Sequence, residues 1–111
     1  MTYNEITVML GETDFPLAYD HFAEGESPDP PFLIFLFPRS NNFSADDSVY
    51  VKVDELHIEL YTDKKDPVCE KKVEDVLDSH GIFYDKDEVW IGEEQLYEVL
   101  YTTEVVKDEQ Q

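Results

Sequence analysis

Residues 49–77 read VYVKVDELHIELYTDKKDPVCEKKVEDVL, and this stretch predicts most of the fold. Apolar residues alternate with polar ones up to Tyr61, as in a strand with one buried face. The polar run at 62–65 ends that strand. Asp66 and Pro67 then provide an N-cap and a first-turn proline, so a helix begins there.

The alternation changes phase inside this strand. Apolar residues occupy odd positions from Val49 to Val53 and even positions from Leu56 to Leu60. A β-bulge around Asp54 would insert one residue and keep a single strand, whereas a tight turn would give two shorter ones. We expect one long bulged strand.

The residues after Pro67 predict an amphipathic helix that ends at Gly81, a residue suited to the left-handed C′ position. Its apolar stripe comprises Cys69, Val73, Val76, Leu77 and His80. Its charged side is expected to face water and comprises Glu70, Lys71, Glu74, Asp75 and Asp78.

The remaining elements flank this strand and helix. Thr2 and Glu5 match a capping box, which predicts a first helix over residues 3–10 with Gly11 at C′. Strands are expected over 17–22 and over the apolar run 32–37, which lies between Pro31 and Pro38. Residues 82–91 and 95–105 form a closing hairpin around a turn at 92–94.

This order, α-β-β-β-α-β-β, predicts a single α+β domain over residues 1–106. We expect a largely antiparallel mixed sheet of about five strands with both helices on one face. Residues 107–111 are expected to form a frayed acidic tail.

The composition is strongly acidic, with 27 acidic and 8 basic residues and a net charge of −19. The first 38 residues contain seven acids and no Lys or Arg, so the acidity is not confined to a tail. DNA and anionic membranes would be repelled, which excludes ordinary nucleic-acid binding. The N-terminus has no signal-peptide pattern, and the apolar run 32–37 is too short to span a bilayer.

The candidate catalytic and metal-binding patterns are weak. Cys69 and His80 lie on one helix but about 16 Å apart, beyond hydrogen-bond reach. Asp85 opens a calcium-loop pattern, but Trp90 replaces its glycine and Leu96 its closing glutamate. His57 and Glu59 share a strand face and could pair with a partner, although we favour a solvated pair. We therefore expect no enzyme activity, no cofactor and no metal site.

Exposed aromatic side chains on a small sheet mark protein interfaces. The aromatic residues that we predict to meet a partner are Phe37, Phe43, Tyr50 and Tyr61. The acids that we predict to form an acidic or lumen-facing surface are Asp46, Asp47, Glu93 and Glu94.

Residues 58–67, IELYTDKKDP, and the helix that follows them carry a family resemblance. Together with Pro31, NFSAD at 42–46 and WIGEEQLYEVLY at 90–101, they resemble tail-completion proteins of long-tailed phages and prophages of Gram-positive bacteria. These are tail-terminator or head–tail joining proteins, and the similarity spans residues 17–101.

The resemblance implies an α+β subunit that forms a ring, often a hexamer, at the head-proximal end of the tail tube. Its partners would be copies of itself, the tail tube protein and head connector proteins. It would be assembled in the host cytoplasm and reside in the virion, with DNA passing through an acidic lumen without specific binding. No catalysis is implied.

The composition leaves a second class open, an acidic DNA-mimic inhibitor of a nucleic-acid enzyme. The two classes differ in where the charge and the apolar surface lie. A mimic needs carboxylates in one continuous, phosphate-like row. A ring subunit needs an apolar or aromatic surface that fits another copy.

Overall fold

The computed structural model describes residues 1–45 and 48–106, with the side chains of 43–45 and 48–50 outside the description. The described part of the chain forms two helices and seven strands. In chain order they are α1 (Tyr3–Gly11), β1 (Leu17–Tyr19), β2 (Phe32–Ser40), β3 (Phe43–Ala45), β4 (Ser48–Val51), β5 (Val53–Thr62), α2 (Pro67–Ser79), β6 (Asp85–Ile91) and β7 (Leu96–Val106).

Five of these strands form one mixed sheet in the order β1-β2-β5-β7-β6, in which only β1 pairs in parallel. β3 and β4 form a separate two-stranded antiparallel ribbon. The predicted α+β class, with two helices and a five-stranded mixed sheet, is confirmed.

The prediction of one long bulged strand over residues 49–61 is wrong. The segment divides at Lys52, because β4 pairs with β3 while β5 pairs with β2 and β7. β5 pairs with β7 without interruption from Val53 to Thr62, so no bulge lies at Asp54. The register shift instead lies in β2, between Leu36 and Arg39.

Three strand boundaries also differ from the sequence prediction. β2 continues through Pro38 to Ser40 and does not end at residue 37. The first strand ends at Tyr19 because Asp20 adopts a left-handed conformation, with φ of 66°. The sixth strand begins at Asp85 and not at residue 82. Ile82 instead donates its N–H to Leu77 O, 3.0 Å away, and so satisfies a carbonyl at the end of α2.

Both helices begin with the predicted caps. Thr2 and Glu5 form the capping box, with side-chain to backbone distances of 2.7 and 3.1 Å. Asp66 accepts a hydrogen bond from Cys69 N at 3.2 Å. Gly81 follows α2 with φ of 70°, whereas α1 extends through Gly11 and is capped by Glu12.

One face of the sheet carries both helices and the hydrophobic core. The fully buried side chains come from both helices and from the three central strands, which explains why the core is continuous. They include Ile6, Leu10, Leu33, Phe35, Ile58, Leu60, Val73, Leu77, Val99 and Tyr101.

The opposite face of the sheet has no helix packed on it in the described part of the chain, and we call it the outer face. The registers place alternate residues of each strand on it. These are Phe32, Ile34 and Leu36 of β2, Glu55, His57, Glu59 and Tyr61 of β5, Leu96, Glu98, Leu100, Thr102 and Glu104 of β7, and Asp85, Asp87, Val89 and Ile91 of β6.

Candidate assembly surfaces

An aromatic cluster covers the β1 edge of the sheet. Tyr19 packs against Tyr3 and Phe35 with ring centroids 5.1 and 5.3 Å apart. Phe37, one of the predicted partner residues, joins the cluster 6.2 Å from Tyr19 and is half-buried. Tyr3 and Tyr19 remain 40% and 44% exposed, so this edge presents aromatic surface to solvent.

The opposite edge, β6, combines charges with exposed apolar residues. Residues 85–88 are all charged, while Val89 and Trp90 at its far end are about half exposed. Phe83, just before the strand, is 86% exposed. Sequence reasoning did not select these residues, because both Phe83 and Trp90 have apolar or aromatic neighbours in the sequence, as buried strand residues do.

The outer face alternates acids with apolar side chains. Glu59 lies opposite Ile34 and Leu100 on the neighbouring strands, and Glu98 lies opposite Tyr61 and Val89. Each of these carboxylates therefore has non-acidic cross-strand neighbours, which limits like-charge repulsion.

Tyr61, another predicted partner residue, lies on this face near the end of β5. Its ring stacks on Phe32 at 5.1 Å, and its hydroxyl donates to Glu59 Oε1 at 2.9 Å. Burial raises the pKa of Glu98, and the nearby Glu59 carboxylate raises it further.

A shallow depression lies at one end of the outer face, beside the turn between β6 and β7. The turn residue Glu94, one of the predicted acidic residues, lies on its rim and is exposed, as is Glu93. Apart from Glu94 and Ser27, its lining is apolar or aromatic: Phe22, Phe32, Ile34, Tyr61, Ile91 and Leu96.

At the other end of the outer face, Glu55 and Glu104 lie directly opposite each other. Asn41 bridges them, since its side-chain N–H group donates to both carboxylates at 3.2 and 2.9 Å. His57 lies 2.8 Å from Glu55, and this contact lowers the pKa of Glu55. His57 therefore pairs with Glu55 rather than Glu59, the neighbour considered from the sequence.

An ion-pair network joins α2 to β6 on the helical face. Glu70 is only 4% exposed, so the expectation that it faces water is wrong. It accepts hydrogen bonds from Lys65 and Lys86 at 2.8 and 2.7 Å. Glu74 is half-buried and binds Lys86 and the Tyr101 hydroxyl, both at 2.8 Å. The network replaces apolar packing where β6 passes beside α2.

Cys69 and His80 do not meet. Burial raises the pKa of the half-buried Cys69 thiol to about 11, which suppresses the reactive thiolate at neutral pH. His80 lies 3.0 Å from Glu12 at the end of α1. Among the described residues, no group of three or more His, Cys, Asp or Glu side chains is arranged to hold a metal ion.

The structure does not describe the side-chain positions of four predicted site residues. Phe43 and Tyr50 belong to β3 and β4, but their side chains lie outside the description, and Asp46 and Asp47 lie outside the described residues altogether. The expected tail at 107–111 also lies outside them.

Val68 is a candidate contact residue that the sequence reasoning missed. It is 73% exposed on the first turn of α2, away from the apolar stripe. The sequence could have indicated this exposure, because an apolar residue outside the apolar stripe of a helix faces solvent or a partner. Lys71 and Lys72 follow at i+3 and i+4, and both are exposed.

No helix in residues 1–45 and 48–106 is long and apolar enough to cross a membrane. No protein-family model matches the chain, and neither does the sequence of any curated protein. The tail-completion assignment therefore stays a prediction based on the residues quoted above.

Proposed function

We propose that the protein is a structural subunit that associates with copies of itself, as a tail-terminator or head–tail joining protein of a phage virion does. The observation that carries this proposal is apolar surface in several separate places. Tyr19 on the β1 edge, Trp90 on the β6 edge and Val68 on α2 are each 44% exposed or more. A subunit with neighbours on two sides needs such surface at more than one place.

The charge supports the same proposal. Each copy carries a net charge of −19, so a ring would repel DNA that passes through its centre. Glu93 and Glu94 lie on an exposed turn and belong to the acidic surface of each copy. The tail tube and head connector proteins would contact the two ends of the ring.

The outer face favours this proposal over a DNA mimic. Its acids alternate with Tyr61, Leu100 and Val89, so they do not form an uninterrupted row of charges. DNA presents one phosphate every 3.4 Å along each strand, without apolar interruptions. A surface of alternating acids and apolar groups suits a protein partner better.

The experiment has two parts. The full chain is examined by analytical ultracentrifugation for a closed oligomer and by gel shift for binding to duplex DNA. In a phage that carries the gene, deletion followed by electron microscopy should give overlong tails, or tails that are not joined to full heads. Normal virions after deletion, or tight DNA binding at physiological salt, would refute the proposal.

A further inference from the structure

We infer that the exposed start of α2 on one copy docks into the outer-face depression of the next copy. The inference rests on the proposed self-association and specifies the two surfaces that meet. The first surface, the α2 patch, consists of Val68, Lys71 and Lys72. The second consists of the depression already described and the acidic turn residues Glu93 and Glu94 beside it.

The two surfaces match in shape and polarity. Val68 is the most exposed apolar side chain on α2, at 73%, and extends from the helix surface. The depression is lined by apolar groups such as Ile91 and Leu96. Covering Val68 there would remove apolar surface from water on both copies, which favours association.

The charges around the α2 patch are opposite in sign to those around the depression. This favours a second copy of the chain as the molecule that fills the depression. Lys71 and Lys72 belong to residues 64–72, which contain four of the eight basic residues of the chain and two acids. Lys71 pairs with Asp75 at 2.8 Å and Lys72 lies 4.9 Å from the centre of the Phe15 ring. Both lysines are exposed, and such surface contacts contribute little, so their ammonium groups can still meet an incoming carboxylate.

The depression has Glu94 on its rim, with Glu93 beside it and Glu98 on the neighbouring strand. In a protein with a net charge of −19, a basic patch beside exposed valine fits an acidic, apolar-lined surface on another copy.

The geometry also determines how the contact propagates. α2 packs on the core face of the sheet, whereas the depression opens on the outer face. Two different surfaces therefore meet, and each copy still has one of them free after the first contact. Such head-to-tail contacts form a ring where the rotation between copies closes, and an open filament where it does not.

The test uses two full-chain double variants with opposite charge changes. The first, Lys71→Glu with Lys72→Glu, makes the α2 patch acidic. The second, Glu93→Lys with Glu94→Lys, makes the turn basic. All four side chains are exposed, so both variants should fold. Far-UV circular dichroism and thermal melting confirm folding before association is measured by ultracentrifugation.

Each variant alone should associate at least tenfold more weakly than wild type, because like charges then meet. An equimolar mixture should regain wild-type association, since every contact in an alternating ring pairs opposite charges again. The matched control, Asp85→Lys with Asp87→Lys, changes two exposed acids towards the other end of the outer face and should not rescue the Lys71 and Lys72 variant.

Val68→Asp tests separately the contribution of the apolar contact to the proposed interface. It should weaken association at least tenfold, whereas Val8→Asp, at a 70% exposed valine of α1, should change it less than twofold. Unchanged association of the single and double variants would overturn this interface but leave the proposed assembly intact. A wild-type chain that stays monomeric at about 1 mM, where even weak contacts form, would overturn both.

Discussion

Replacement of Glu70 by glutamine tests whether the buried ion-pair network stabilises the fold. Glu70 is 4% exposed and binds two lysines, whose side chains remain 44% and 30% exposed. Glutamine keeps the shape of the side chain but removes its charge. Lys65 keeps Glu88 as a partner and Lys86 keeps Glu74, so neither lysine is left without a counter-charge.

The expected loss lies between two limits. Breaking a fully buried pair costs about 3–5 kcal/mol, whereas an exposed pair contributes about 0–1 kcal/mol. Glu70 is buried but its lysines are partly solvated, so we expect Glu70→Gln to lower the free energy of unfolding by about 1–2 kcal/mol. For a domain of this size, that corresponds to a drop in Tm of about 4–10 °C.

Urea unfolding followed by far-UV circular dichroism measures this change. Asp75→Asn is the matched control, because it removes an acid of α2 that pairs with Lys71 at the surface, and it should cost less than about 0.5 kcal/mol. Equal stability of the two variants would refute a stabilising role for the buried network. A loss confined to low salt would show that Glu70 behaves as a surface charge.

Three further variants test other features by unfolding measurements. Glu98→Gln should be more stable than wild type at pH 7 and lose that advantage below about pH 4, because a pKa raised on folding costs stability once the carboxyl ionises. An advantage at every pH would contradict this reasoning. Asn41→Asp adds a carboxylate beside two others and should destabilise, with partial recovery in high salt; no salt dependence would count against repulsion as the cause. Asp66→Ala removes the α2 N-cap and should cost about 1 kcal/mol, while an unchanged Tm would show that the cap contributes nothing.

Local signals in the sequence predicted the helices well. Thr2 with Glu5 and Asp66 with Pro67 act through neighbouring backbone groups, so short patterns are sufficient to identify them. Gly81 likewise adopts the left-handed conformation that its position after α2 suggested. These features need no knowledge of the rest of the fold.

The division at Lys52 could not be predicted in the same way. The alternation of apolar and polar residues does not reveal that residues before Lys52 pair with β3 while those after it pair with β7, whose paired residues lie 35 to 53 positions away in the sequence. Strand partners depend on the whole sheet. The phase change near Asp54 thus has another origin: the register places Val53 and Leu56 on opposite faces, and both are buried.

The candidate surfaces were predicted only in part. Tyr61 does lie on the outer face, but Phe37 is shared between the core and the surface, because it packs on Phe35 and Tyr19. Glu70 was misassigned because a carboxylate on the charged side of a helix normally faces water. Its burial requires Lys65 and Lys86 to approach from other elements, which the helical pattern alone does not show.

The charged half of β6 has a consequence for solubility. A free sheet edge can template the growth of fibrils, because its backbone groups accept any incoming strand. Residues 85–88 place four charges on that edge, and Lys86 points inward to Glu70. A strand from another molecule that paired with β6 would have to lie against these charges. We therefore expect concentrated solutions of the protein to resist amyloid formation.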